Sequence, residues 1–114
     1  MDDLTPLTSP TMRSTLHLLL HFIVPLAVAL TFFRARWQRA ALIMIATMIV
    51  DVDHLLATPI YDPSRCSLGF HPLHTWPAIV VYAALSIPAR TRLIGIGLLI
   101  HMALDGVDCV WMHW

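Results

Sequence analysis

The chain has 114 residues, 58% of them hydrophobic and 12% charged, with seven arginines, seven aspartates, and no lysine or glutamate. A net charge of zero gives no basic field for nucleic acid. The charged share is well below the roughly 25% of a soluble domain, so a soluble core would lack a polar coat.

The length suits one domain. Residues 1–13 read as a short polar tail and 14–114 as a transmembrane domain. The first apolar stretch runs from about Ser14 to Phe33, with Ser14 and Thr15 as expected caps. It ends in Phe32-Phe33-Arg34 without a small-residue cleavage site, so it reads as a retained helix rather than a signal peptide. Pro25 cannot donate to the carbonyl of His21 and should bend this helix. The second stretch, Ala40 to about Ala57, should stop at Thr58-Pro59, because a residue before proline avoids the helical region. The third runs from about Leu73 to Ala89, with Thr75 as cap and Pro77 in its first turn. The fourth runs from Leu93 to about Trp111.

Each stretch approaches the ~20 residues that cross a bilayer. Leu16–Phe33 and Ala40–Val50 lack the polar stripe of a soluble amphipathic helix. The expected fold is all-α: a bundle of four transmembrane helices.

Arginine sets the orientation. Arg34, Arg36 and Arg39 occupy the first link and Arg90 and Arg92 the third, while the second holds only Arg65. The positive-inside rule makes the first and third links cytoplasmic and puts both termini and the Thr58–Pro72 link outside. Trp37 then sits at the inner interface, and Trp76, Trp111 and Trp114 at the outer one. A bacterial inner membrane is the expected location. Four helices also leave surface for a homo-oligomer, though no motif specifies one.

The polar residues converge at one depth. His17 and His21 are four apart and share a face of the first helix. Asp51, Asp53 and His54 close the second stretch. His71 and His74 lie in the outer link, and His101 and Asp105 share a face of the fourth helix. All fall toward the outer side under an orientation fixed by arginine alone. Ionisable groups in lipid persist only with a partner or a task. Imidazole and carboxylate together suit a divalent transition metal, zinc first. Nine candidates exceed the needs of one ion, so two ions share the site or some residues orient the others. His17, His21, Asp51, His54, His71, His74 and His101 are the expected ligands, and Asp53 and Asp105 the expected general bases. On an α-helix Asp53 points nearly opposite Asp51, so both serve one site only if the helix loosens there.

Asp108 and His113 read as interfacial, and Met44, Met48, Met102 and Met112 as packing rather than copper ligands. Cys66 and Cys109 form no Cys-x-x-Cys pair. If His71 and Asp105 meet, the same packing brings the two cysteines together, and a disulfide is expected in an oxidising outer compartment.

Leu16-His17 through His21-Phe22, Ala46 through Pro63, Arg65 through His74 and Gly95 through Asp105 carry a resemblance. The chain resembles a family of small, uncharacterised four-helix bacterial membrane proteins. That family is distantly similar to membrane-bound metal-dependent hydrolases with like histidine and D-x-D-H motifs. The resemblance implies metal-dependent hydrolysis and names no substrate. A site just inside the outer leaflet would suit a lipid or lipid-linked ester or phosphoester. Two other readings stand beside it. One is a di-iron oxidase of the histidine-box type, on His17-x-x-x-His21 and His71-x-x-His74. The other is a non-catalytic metal-binding or structural protein.

Overall fold

The computed structural model describes residues 10–58, 66 and 68–112. Arg65, His113 and Trp114 lie outside the described residues, as do positions 1–9 of the tail and most of the second link. Among the described residues the fold is all-helical, with four helices and no strand.

Helix α1 (Pro10–Phe32) starts ahead of Ser14 and Thr15, which therefore lie within it rather than at its cap. Pro25 is carried inside this helix without ending it. A short 3-10 turn, Arg34–Arg36, reverses the chain into α2 (Trp37–Ala46).

The second apolar stretch does not stay α-helical. From Thr47 to Leu56 it winds as a 3-10 helix. Thr47 turns its hydroxyl back to the carbonyl of Met44, three residues earlier. The β-branched residues Ile45, Thr47, Ile49, Val50 and Val52 crowd an α-helical surface and weaken its hold. A 3-10 run of this length is uncommon and often marks a functional segment. The helix ends at Leu56, and Ala57 is extended, just ahead of Thr58-Pro59.

The third stretch is shorter than its hydropathy suggests. After a 3-10 turn at Pro72–His74, α3 covers only Trp76–Leu85. Thr75 precedes it, but its hydroxyl donates to the carbonyl of Pro72 at 2.8 Å and caps nothing in α3. At the far end the N–H of Ser86 is shared between the carbonyls of Tyr82 and Ala83, which tightens the last turn. Pro88 then disfavours a helical Ile87. The Arg92 guanidinium donates to the carbonyls of Ser86 and Ile87 at 3.2 and 2.7 Å, so the freed carbonyls are satisfied.

Helix α4 (Arg92–Met112) packs against α1, α2, α3 and the 3-10 segment, and is the element that every other helix meets. Small residues permit this. A Cβ on Gly97 would come within 2.8 Å of the Thr47 hydroxyl and 2.9 Å of the Met44 Cα, so glycine lets α4 approach the α2 junction. Two apolar clusters fill the interior. Ala29, Ala40, Ala41 and Met44 lie toward the arginine-bearing end, and Val50, Tyr82, Leu98 and Met102 further along. Trp37 opens α2 at the arginine end, while Trp76 and Trp111 belong to the opposite end.

Helices α1 and α4 are long and apolar enough to cross a membrane. Only 17% and 33% of their apolar windows are buried, whereas the core helix of a soluble protein would be mostly covered. Large side chains such as Leu18, Ile23, Leu42, Ile49, Leu56 and Val110 face outward.

Candidate metal centre

The nine histidines and aspartates expected at the site form one contiguous group, delivered by α1, the 3-10 helix, the Pro72–His74 turn and α4. Three sets place one ligand atom per residue within 4.8 Å of one another. They are Asp51/His74/His101/Asp105, His17/His21/Asp105 and Asp53/His54/His71. Asp105 belongs to two of the sets. His71 and His101 are joined through His74 by ring-centroid distances of 5.6 and 5.4 Å.

The 3-10 winding makes the convergence geometrically possible. At about 120° per residue, positions three apart eclipse, so Asp51 and His54 share a face. Asp53 moves from nearly opposite Asp51 to about 120° away. The two aspartates then reach opposite nitrogens of a single imidazole. Asp53 Oδ2 lies 2.9 Å from His74 Nδ1, and Asp51 Oδ1 lies 3.3 Å from His74 Nε2.

His74 itself is fully buried. It does not lie in an exposed outer link. The turn that carries it folds into the bundle beside His101, near the middle of α4. Tyr82 holds the turn there by donating its hydroxyl to the Leu73 carbonyl at 2.7 Å, and the Leu73 N–H donates to Asp53 Oδ2 at 2.9 Å. Sequence reading gave Tyr82 no role, since one tyrosine in an apolar helix carries no spacing signal.

His74, His21 and His54 have Nδ1 tied down, and in His74 and His21 the Nε2 turns inward, whereas His101 Nδ1 is buried without a hydrogen-bond partner. His74 Nδ1–H donates to Asp53, and its Nε2 faces Asp105 Oδ2 at 3.1 Å and His101 Nε2 at 3.4 Å. His21 Nδ1–H donates to the His17 carbonyl at 2.7 Å, and its Nε2 faces Asp105 Oδ1 at 3.4 Å. His54 Nδ1–H donates to the Asp51 carbonyl at 3.1 Å. His101 Nε2 lies 3.0 Å from Asp51 Oδ1 and 3.2 Å from Asp105 Oδ2. His17 Nε2 lies 3.0 Å from Asp105 Oδ1. A fixed Nδ1–H and a free Nε2 lone pair is the form in which histidine binds metal.

The residues fit a divalent ion. His21 Nε2 is buried with no well-formed hydrogen bond, its carboxylate neighbour Asp105 Oδ1 lying 3.4 Å away, and it belongs to one of the converging sets. Leaving such an atom poorly partnered would cost ~1–3 kcal/mol, a cost that a bound cation removes. Met44 and Met102 lie in the apolar clusters instead, consistent with packing.

Two further contacts close the same end of the molecule. Cys66 and Cys109 are joined by a disulfide with Cα atoms 5.1 Å apart, tying the start of the His71–His74 segment to α4. Asp108 forms an ion pair with Arg13 at 3.2 Å. Neither side chain is freely exposed, so Asp108 links α1 to α4 rather than simply marking an interface. Arg13 had no signal in the sequence beyond its position ahead of an apolar run.

Asp53→Asn should lower metal affinity by about 10–100-fold while the fold persists. Asparagine keeps the shape and can still accept from Leu73 N–H, but it loses the charge that fixes the His74 tautomer. Competition with a chromophoric chelator would measure it. Unchanged affinity would mean that Asp53 does not orient His74.

The sequence model of DUF6122, described as a family of unknown function, matches residues 11–112, and the chain belongs to that family. No curated protein and no solved structure matches it.

Proposed function

We propose that this member of the DUF6122 family is a multi-pass membrane protein that uses its His/Asp centre for metal-dependent hydrolysis of a lipid or lipid-linked ester or phosphoester. The observation that carries the reading is the set Asp51, His74, His101 and Asp105. Three chain segments bring these four ligand atoms within 4.8 Å of one another, with His74, His101 and Asp105 buried and Asp51 partly exposed.

Four membrane segments are part of the proposal. The α2 and 3-10 helices together rise about 35 Å, enough to cross a hydrocarbon core of about 30 Å. Helix α3 rises only about 15 Å. That length suffices because the preceding turn already lies at the depth of His101, so α3 need only reach the arginine end. The disulfide supports the orientation independently of the arginines. It requires an oxidising compartment at the His/Asp end, opposite the end that the positive-inside rule assigns to the cytoplasm.

Within the centre, Asp105 is shared by two of the three ligand sets and Asp53 positions His74. Neither is placed to move freely as a base. Asp51 is: its side-chain contacts to His54, His74 and His101 run through Oδ1, and its side chain is 39% exposed, the most accessible aspartate of the group. We assign it the proton taken from attacking water. His54, with a side chain 20% exposed, lies beside it at 3.6 Å. A bound divalent ion, zinc first, would supply Lewis acidity toward the ester or phosphoester. Three aspartates among the nine residues favour this over a histidine-box oxidase, whose sites are poor in carboxylate.

The test is metal analysis of the purified full chain, followed by hydrolysis assays on ester and phosphodiester lipids. Zinc with metal-dependent turnover is expected, and Asp51→Asn should lose turnover more than metal, because its amide oxygen can still face the ion but cannot take the proton. Paired iron would replace the proposal with oxidation. Metal without turnover on any lipid ester would leave a binding or structural site.

A further inference from the structure

At the opposite end of the molecule, a cavity of about 430 Å³ is lined by Arg36, Arg39, Arg90 and Arg92 over an apolar floor that includes Phe33 and Leu93. Membrane orientation asks only that arginines occupy cytoplasmic links. It does not ask that two separate links aim theirs into one cavity. Here the first link and the start of α2 supply Arg36 and Arg39, and the third link and the start of α4 supply Arg90 and Arg92. Arg34, in the same first link, is not among the lining residues.

No carboxylate among the described residues balances this charge. Asp51 and Asp53 belong to the far end of the second segment, and Asp105 and Asp108 to the far end of α4. Arg92 is partly committed to the carbonyls of Ser86 and Ile87, which fixes its position at the rim. Two helices also begin at this end, α2 at Trp37 and α4 at Arg92. Neither has an acid in its first turn, and α2 has no side-chain cap. Their positive dipole ends add to the arginine field. Planar guanidinium groups match phosphate oxygens in paired hydrogen bonds. The apolar floor would leave a free inorganic ion without partners on one side, but suits the glycerol and first methylenes of a lipid.

We propose that this cavity binds the phosphate group of an anionic phospholipid from the cytoplasmic leaflet. The lipid anchors the first and third links to each other at the end remote from the metal centre.

The experiment is native mass spectrometry of the detergent-solubilised full chain, titrated with phosphatidylglycerol, with phosphatidylcholine, or with inorganic phosphate. A single phosphatidylglycerol adduct is expected, at least about tenfold tighter than that of phosphatidylcholine. The double variant Arg39→Gln/Arg90→Gln should weaken it by roughly thirtyfold. Arg39→Lys/Arg90→Lys keeps the charges that set orientation and should weaken it by a smaller factor, through loss of paired hydrogen bonds. Arg34→Gln should leave it unchanged. Metal content should be the same in all variants, which separates failure here from failure of the hydrolase reading. Equal binding of the two lipids, an equal loss with Arg34→Gln, or full displacement by equimolar inorganic phosphate would overturn the proposal.

Discussion

Asp105→Ala is expected to empty the metal centre and to remove the stabilisation that metal gives. Both oxygens of this carboxylate are engaged: Oδ1 lies 3.0 Å from His17 Nε2 and 3.4 Å from His21 Nε2, and Oδ2 lies 3.1 Å from His74 Nε2 and 3.2 Å from His101 Nε2. Removing it leaves four inward-facing imidazoles around one remaining carboxylate, Asp51. Loss of one partner from a buried charged cluster costs about 3–5 kcal/mol, and the two ligand sets no longer share a residue. Metal at a thousand times its dissociation constant would contribute about 4 kcal/mol to the stability of the parent protein. A strong chelator should therefore lower the melting temperature of the parent and leave that of the variant unmoved. Elemental analysis should find less than a tenth of the parent's metal. Acidification should mimic the chelator, because ligand histidines must be deprotonated to bind. Asp108→Asn, one turn further along α4 and paired with Arg13, should keep its metal. Full metal content in Asp105→Ala would remove Asp105 from the ligand set and, with it, the link between α1 and the rest of the centre.

The disulfide has the second large effect. Cys66 and Cys109 are 43 residues apart, and the loop they close contains the His71–His74 turn, α3 and most of α4. Restricting an unfolded chain over a loop of this length corresponds to about 4 kcal/mol in the loop-closure account. Cys109→Ser should lower thermal stability by up to that amount. It should also weaken metal binding, since the turn that carries His71 and His74 would lose its covalent tie to Asp105 on α4. Cys66→Ser, Cys109→Ser and the double variant should all behave alike, because each removes the same single bond. A double variant markedly worse than either single one would show that the thiols act separately. Alkylation of both cysteines in untreated membranes would show that the bond does not form there.

The helical class, the apolar character of the segments and the gathering of histidine and aspartate toward one end were legible in the sequence. These are local properties. Four-residue spacing places His17 with His21 and His101 with Asp105 on any helix, and hydropathy needs no tertiary contact to be read. The bias of arginine toward two links was equally local, but its convergence on a cavity was not.

Tertiary structure decided the rest. Periodicity assumes about 100° per residue, so it put Asp51 and Asp53 on opposing faces. The 3-10 winding of Thr47–Leu56 changes that angle and lets the pair grip the two nitrogens of His74. Hydropathy ran the third segment from Leu73 to Ala89, whereas the helix covers only Trp76–Leu85. The His71–His74 turn folds inward instead, held by Tyr82 and Asp53. The Arg13–Asp108 pair joins residues 95 positions apart. The division of labour among the aspartates follows from the same fact. Asp53 meets its partner 21 residues away and Asp51 one of its own 50 away. Which oxygen faces which nitrogen depends on how four segments pack, and no window of sequence contains that information.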